Sequence, residues 1–197
     1  VRHDQEVDSV PYDVEAIRTE MLARRRGLAA DELSRASAII LERLLGLPEM
    51  LSARTVGAYI GIRGEADPSL LSSDRGFEVA FPVTTAGEVL RFVVPDGPLV
   101  AGPYGISQPE TGREVDPCNL DVVLVPLVAA DPRGNRVGHG AGFYDSTFAD
   151  CRGVGDSGPV LIGICHSFQV VAALEPRPWD VPMDLLVTEA GLIRPGA

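Results

Sequence analysis

The sequence predicts a three-layer α/β/α domain with a mostly parallel central sheet and a pair of helices ahead of it. Three observations carry this expectation. The N-terminal region places apolar residues at helical spacing, and from Thr55 onward the texture changes to short apolar runs bounded by Gly, Pro and Asp. Two of those runs, Val122-Val123-Leu124-Val125 and Leu161-Ile162-Gly163-Ile164, do not alternate with polar residues, which is the pattern of strands covered on both faces. A chain of 197 residues with 45% hydrophobic content can bury one sizeable core, so a single domain over 1–197 is expected, with 1–12 flexible.

The first helix is expected after Pro11 and Asp13, with Val14, Ile17, Met21, Leu22 and Leu28 on its apolar side and Arg24-Arg25-Arg26 largely on a solvated face. A second begins at Asp31, carries Leu33, Ala36, Ile40, Leu44 and Leu47, and stops before Pro48. Strands are expected over 55–60, 78–81, 89–94, 120–128, 160–165 and 185–188, with helical segments over 68–71, 142–150 and 167–174 between them. The stretch 95–117 reads as a long, turn-rich connection. In this order of elements, ligands bind at the carboxyl ends of the strands.

Composition excludes several functions. The net charge of −11 repels a phosphate backbone, so nucleic acid is not an expected partner. No stretch is long and apolar enough to span a bilayer, and the charged start does not read as a signal sequence, which gives a cytoplasmic expectation with no membrane partner. Cys118, Cys151 and Cys165 are odd in number and widely spaced, so they read as free thiols in a reducing compartment rather than a disulfide framework or zinc site. All 17 basic residues are arginines. Schiff-base lysine chemistry and the lysine of a P-loop are therefore absent, and an anionic substrate must be held by arginine, backbone N–H groups or a metal.

The segment from Val125 to Asp145 is the most informative. A buried strand passes through a turn to Arg136 and then to Gly138, Gly140 and Gly142 at alternate positions, ahead of an expected helix. Glycines so spaced let the backbone bring its N–H groups against a bulky anion, with the helix N-terminus adding positive potential. On spacing alone a glycine-rich turn with an incidental arginine accounts for the segment equally well. Tyr144-Asp145 directly after the loop favours the functional reading, because Asp145 then places a carboxylate beside bound phosphates, where Mg²⁺ is commonly held. Asp180 and Asp184 flank Pro182 at the lip of the last strand; Asp180 reads as a turn residue, whereas Asp184 is the second metal candidate.

These pieces, in this order, resemble the 5-formyltetrahydrofolate cyclo-ligase family over nearly the whole chain. The specific signature is Gly134-Asn135-Arg136-Val137-Gly138-His139-Gly140-Ala141-Gly142-Phe143-Tyr144-Asp145. Weaker matches are Ile17-Arg18 with Arg24 and Leu28, Tyr59 through Asp67, Gly105-Ile106 with Pro109, and Asp180 through Glu189. The resemblance implies that ATP is a co-substrate, held by Arg18 and by Arg136, Val137, Gly138, His139, Gly140, Ala141, Gly142, Phe143 and Tyr144. It implies that Asp145 and Asp184 serve Mg²⁺, and that Arg136, Tyr144 and Asp145 carry catalysis. Tyr59, Ile60 and Glu65 would meet the reduced folate, with His139, Gly140, Ala141, Gly142 and Phe143 touching its other side. The implied reaction closes 5-formyltetrahydrofolate to 5,10-methenyltetrahydrofolate, releasing ADP and phosphate. A monomer is the expectation, although the sequence itself does not give the oligomeric state.

The sequence departs from the family pattern twice. Val14 stands where the family commonly has a lysine, removing a phosphate contact for which Arg24, Arg25 or Arg26 could substitute, and His139 replaces another aromatic or basic residue. His166 reads as a capping or core residue, and Trp179 as surface packing rather than a stacking platform. Two other functions stay open at this level: a folate- or nucleotide-binding relative without turnover, and an α/β sugar-phosphate isomerase that uses the glycine loop for a monophosphate.

Overall fold

A computed structural model describes residues 13–71, 76–152 and 158–196. The expected flexible start, 1–12, lies outside the described residues. Helix α1 (Val14–Arg26) starts where Asp13 accepts hydrogen bonds from the Glu15 and Ala16 amides, both at 3.0 Å, and ends at Gly27. Helix α2 (Ala30–Leu45) ends at Gly46, and Pro48 then opens a short α3 (Pro48–Ser52), the position at which proline suits a helix.

Eight strands form the main sheet: β1 (Thr55–Gly57), β2 (Glu78–Val83), β3 (Arg91–Pro95), β6 (Gly112–Val115), β7 (Val122–Pro126), β10 (Val160–Ile164), β11 (Leu185–Val187) and β12 (Leu192–Ile193). Their order is β12-β11-β10-β7-β1-β2-β3-β6. The central pairings β11-β10, β10-β7, β7-β1 and β1-β2 are parallel, and the flanking pairings β11-β12, β2-β3 and β3-β6 are antiparallel. The connection over 95–117, expected to be irregular, holds the hairpin β4 (Leu99–Ala101) with β5 (Ser107–Pro109), and then β6.

The unbroken apolar runs have a direct explanation. Val122 and Leu124 face a core shared with Ile40, Leu44, Val56 and Leu185, whereas Val123 and Val125 face a second core with Phe92, Leu161 and Phe148. Helices α2 and α3 thus cover one face of the sheet, and α4 (Phe143–Phe148) covers the other, giving the three expected layers. The two leading helices part company: Met21 of α1 packs on Val128, Ala129 and Val137 rather than on the sheet.

Three local expectations are corrected. The strand expected over 120–128 stops at Pro126, whose missing N–H cannot extend the ladder, and resumes as β8 (Ala129–Ala130) paired with β9 (Arg136–Val137). The helix expected over 167–174 is only a 3₁₀ turn, Ser167–Gln169, because Val171 N–H donates instead to Ala130 O at 2.8 Å. Cys118 and Cys151 are disulfide-bonded, leaving Cys165 as the free thiol of the three. The fold brings the turn Pro117–Asn119 against the end of α4, a proximity that a separation of 33 residues conceals. No helix among the described residues is long and apolar enough to cross a membrane.

Candidate active site

A cleft of about 420 Å³ opens at the carboxyl ends of β1, β2 and β7, where Tyr59, Pro82 and Pro126 line it. One wall is the loop after β1, with Tyr59, Ile60, Ile62, Arg63 and Glu65. Facing it are Arg136, Gly138, His139, Ala141, Gly142, Phe143, Tyr144 and Asp145 from the glycine-rich segment. Thr84, Leu90, Ile106 and Ser107 complete the lining.

The glycine-rich wall is aimed by one buried carboxylate. Asp131 accepts hydrogen bonds from the amides of Arg133 (2.9 Å), Asn135 (3.1 Å) and Leu174 (2.8 Å), and from the Asn135 side chain at 3.0 Å. These bonds close the β8–β9 turn and direct Arg136 toward the cleft. Burial pushes the Asp131 carboxyl up, but the hydrogen bonds from Asn135, Leu174 and Arg133 outweigh it and hold it below the usual carboxylate range. Beyond β9, Gly140 and Gly142 have φ of 104° and 70°, a region only glycine enters freely, and nothing lies within 4 Å of a Cβ built on Gly138, Gly140 or Gly142. Gly140 and Gly142 are therefore required by backbone turning, and the space beside all three is free for a ligand. Because α4 is only six residues long, the loop's own N–H groups are what this wall offers an anion.

Arg136 donates to Val181 O at 2.5 Å and to Asp145 Oδ1 at 2.8 Å, with its side chain only 5% exposed. Asp145 Oδ1 also accepts the Val181 amide at 3.0 Å. Arginine and carboxylate are thus a locked pair at the cleft edge. Tyr144 stacks on Phe148 with ring centroids 6.2 Å apart, and burial holds its phenol protonated far above the ordinary range.

On the opposite wall, Tyr59 is buried and donates to Ala66 O at 2.7 Å. Glu65 is buried, accepts the Ile62 amide at 3.1 Å, and lies 3.3 Å from Arg25 and 3.6 Å from His139. Burial raises the Glu65 carboxyl, opposed by Arg25; burial also lowers the Arg25 guanidinium and the His139 imidazole, the latter helped by Arg25, Arg63 and Arg18.

Not every expected residue faces the cleft. Val137 is buried beneath α1. Arg18 reaches the loop from outside, donating to Gly138 O at 3.1 Å and pairing with Glu15. Asp184 sits at the amino end of β11 and is not among the residues that line the cleft, and its Oδ2 accepts the Leu161 amide at 2.7 Å. Asp180 accepts the Arg177 amide, His166 contacts Gly64 O and stacks on Phe168, and Trp179 is exposed on the surface. None of the arginine triplet lines the cleft: Arg24 lies over Phe168, Arg25 is buried behind Glu65 and Arg26 is exposed.

The profile of the 5-formyltetrahydrofolate cyclo-ligase family matches residues 4–189. The chain belongs to that family. A 5-formyltetrahydrofolate cyclo-ligase of Haemophilus influenzae is 31% identical over 181 residues, covering 87% of this chain and 95% of the relative. The Escherichia coli K12 protein of the same name is 33% identical over 174 residues, covering 84% and 94%. In structure, the chain is similar to the Aquifex aeolicus 5,10-methenyltetrahydrofolate synthetase, with a TM-score of 0.81, 30% identity and 93% of both chains covered. The Mycoplasma pneumoniae synthetase shares the fold at a TM-score of 0.72 and 23% identity, covering 90% of this chain and 99% of that one.

The sequence did not single out Arg63, and it offered Arg25 as a stand-in phosphate contact rather than as the buried partner of Glu65. Arg25 had a readable signal, since it follows Met21 by one helical turn and shares its inward face. Arg63 had none, because only the folded loop turns it into the cleft.

Proposed function

We propose that this ligase closes 5-formyltetrahydrofolate to 5,10-methenyltetrahydrofolate, consuming ATP with Mg²⁺ and releasing ADP and phosphate. One observation carries the reading: a single cleft sets an open glycine loop and a guanidinium–carboxylate pair opposite a buried glutamate. Family membership supplies the substrate class; the geometry supports a division of labour inside the cleft.

The formamide oxygen is a poor leaving group, so it attacks the γ-phosphorus and displaces ADP, giving a phosphorylated iminium. N10 then adds to that carbon and gives up its proton to solvent, and the C–O bond breaks as phosphate departs. These steps ask for positioning and charge neutralisation rather than a covalent protein nucleophile. The N–H groups of Gly138 to Phe143 and the Arg136 guanidinium take the phosphates, with Arg18 fixing the loop through Gly138 O. Glu65 accepts hydrogen bonds from the pterin amino and N–H groups, and Tyr59 and Ile60 flank it.

Among the described residues no group of three or more His, Cys, Asp or Glu side chains could hold a metal ion. Mg²⁺ commonly binds one or two carboxylates and takes its other ligands from substrate phosphates, so Asp145 at the cleft edge fits it, with Asp184, outside the cleft lining, as the second candidate. When bound, it would neutralise phosphate charge. Asp145 must exchange part of its hold on Arg136 for that role.

The test is methenyl product formation from 5-formyltetrahydrofolate, followed by absorbance, with ATP and Mg²⁺ each omitted in turn. Signal that needs all three components supports the reading. Val14 favours the alternative of a binding-only relative, because its side chain packs apolar against the Met21 cluster and offers no phosphate contact; binding without product would establish it.

A further inference from the structure

The turn that carries Arg63 is held on every side. Glu65 N–H donates to Ile62 O at 3.0 Å, and the two central residues have φ of 51° and 79°, the pattern of a type I′ turn. Arg25 Nε donates to Arg63 O at 3.4 Å, and the His166 ring contacts Gly64 O at 2.9 Å. A Cβ on Gly64 would lie 2.7 Å from Arg25 O, so α1 packs directly on the turn. Among the described residues Arg63 alone has positive φ without being glycine. Asn or Gly would occupy this backbone more comfortably, so a long cationic side chain here stands against the local backbone preference.

The other guanidiniums around the cleft are committed. Arg136 is bound to Asp145 and Val181 O, Arg18 to Glu15 and Gly138 O, and Arg25 to Glu65. Arg63 lines the cleft, is exposed, and has no carboxylate within ion-pairing distance among the described residues. Its position also explains why it helps to keep His139 neutral and Glu65 from rising further.

We propose that Arg63 is a substrate-binding residue, supplying the unpaired positive charge that receives an oxyanion group of a reactant in this cleft. The inference deepens the cyclo-ligase reading, in which that chemistry has two sources: the ATP phosphates and the glutamate carboxylates of the folate. Guanidinium suits both through paired N–H donors.

The test compares wild type with Arg63→Gly, which relieves the positive φ, with Arg63→Lys, and with Arg35→Gln as a charge control on α2, away from the cleft. Dissociation constants are measured directly for ATP, for inorganic tripolyphosphate and for mono- and triglutamyl 5-formyltetrahydrofolate, alongside kcat and KM. Arg63→Gly is expected to weaken one source by about 10- to 100-fold, with thermal stability equal to or above wild type and partial rescue by Arg63→Lys. Weakened ATP and tripolyphosphate binding assigns the phosphates; weakened folate binding that grows with glutamate number assigns the tail. Affinities within about two-fold of wild type for all four probes, when wild type binds them, overturn the proposal. A loss equalled by Arg35→Gln reduces it to bulk charge and also overturns it. Anion binding lost in Arg63→Gly from a wild type that makes no methenyl product upholds the residue assignment and overturns only the cyclo-ligase reading.

Discussion

Arg136 and Asp145 hold each other at 2.8 Å, and removing either strands the other at the cleft edge. Arg136→Ala is expected to raise the ATP KM, and Asp145→Ala to abolish Mg²⁺-dependent turnover. Because each residue acts through the other, the double variant should lose much less than the two single losses combined; additive losses in steady-state kinetics would show independent sites. The pair of His139 and Glu65 gives a second expectation at this scale. Burial lowers the His139 pKa from its ordinary value near 6.5, so its contribution to stability is present above that value and lost as pH falls through the folded pKa. Burial raises Glu65, whose contribution runs the other way: present below the unfolded carboxyl pKa and lost as pH rises through the folded one. Urea unfolding between about pH 5 and 8 should therefore show a flatter acid limb in His139→Gln than in wild type. Parallel limbs would remove His139 from that linkage.

At the scale of elements, the β8–β9 turn is organised by Asp131, which is fully buried and joined to residues on both sides of the cleft wall. Asp131→Ala leaves the buried Leu174 amide and the part-buried Arg133 and Asn135 amides without this acceptor and is expected to cost about 3 kcal/mol, with Arg136 misdirected. Its lowered pKa means that the stabilisation is present above about pH 4 and is lost as pH falls through the folded value. Thermal unfolding of the variant at neutral pH checks the magnitude; a shift of a degree or less would deny the turn its importance. The Cys118–Cys151 bridge ties the end of α4 to the turn before β7. Closing a loop of 33 residues restricts the unfolded chain by about 3–4 kcal/mol in the chain-entropy account. Reduction, or Cys151→Ser, should lower the melting temperature to a common value, and no change on reduction would show that the bridge is absent from the protein in solution.

At the scale of the whole molecule, two apolar layers close on one sheet while the carboxyl ends of its central strands are left to build the cleft. The exposed large apolar residues Ile39, Leu51, Val89, Trp179 and Leu192 come from five separate segments of the chain. Sedimentation equilibrium at micromolar concentration is expected to give the monomer mass of 20.9 kDa, and a mass of twice that would point to an interface these residues do not announce.

Fold class was legible because it rests on local periodicity: the runs at Val122 and Leu161 declare strands buried on both faces, and capping at Asp13 and Pro48 marks helix ends. The glycine loop with Asp145 was legible because backbone turning and charge are encoded within one short segment. Other features depend on residues distant in sequence and had no local signal. Cys118 meets Cys151, the inward-turned Arg25 finds Glu65, and Val171 bonds Ala130 in place of a helical partner. Asp184, which looked surplus to a strand, caps the Leu161 amide. The sequence by itself determined which segments could be buried and where an anion could be cradled, since hydrophobic spacing and glycine torsion are local properties. Tertiary structure alone decided which charges neutralise one another and which, like Arg63, is left facing the cleft, because pairing depends on distances set by the folded chain.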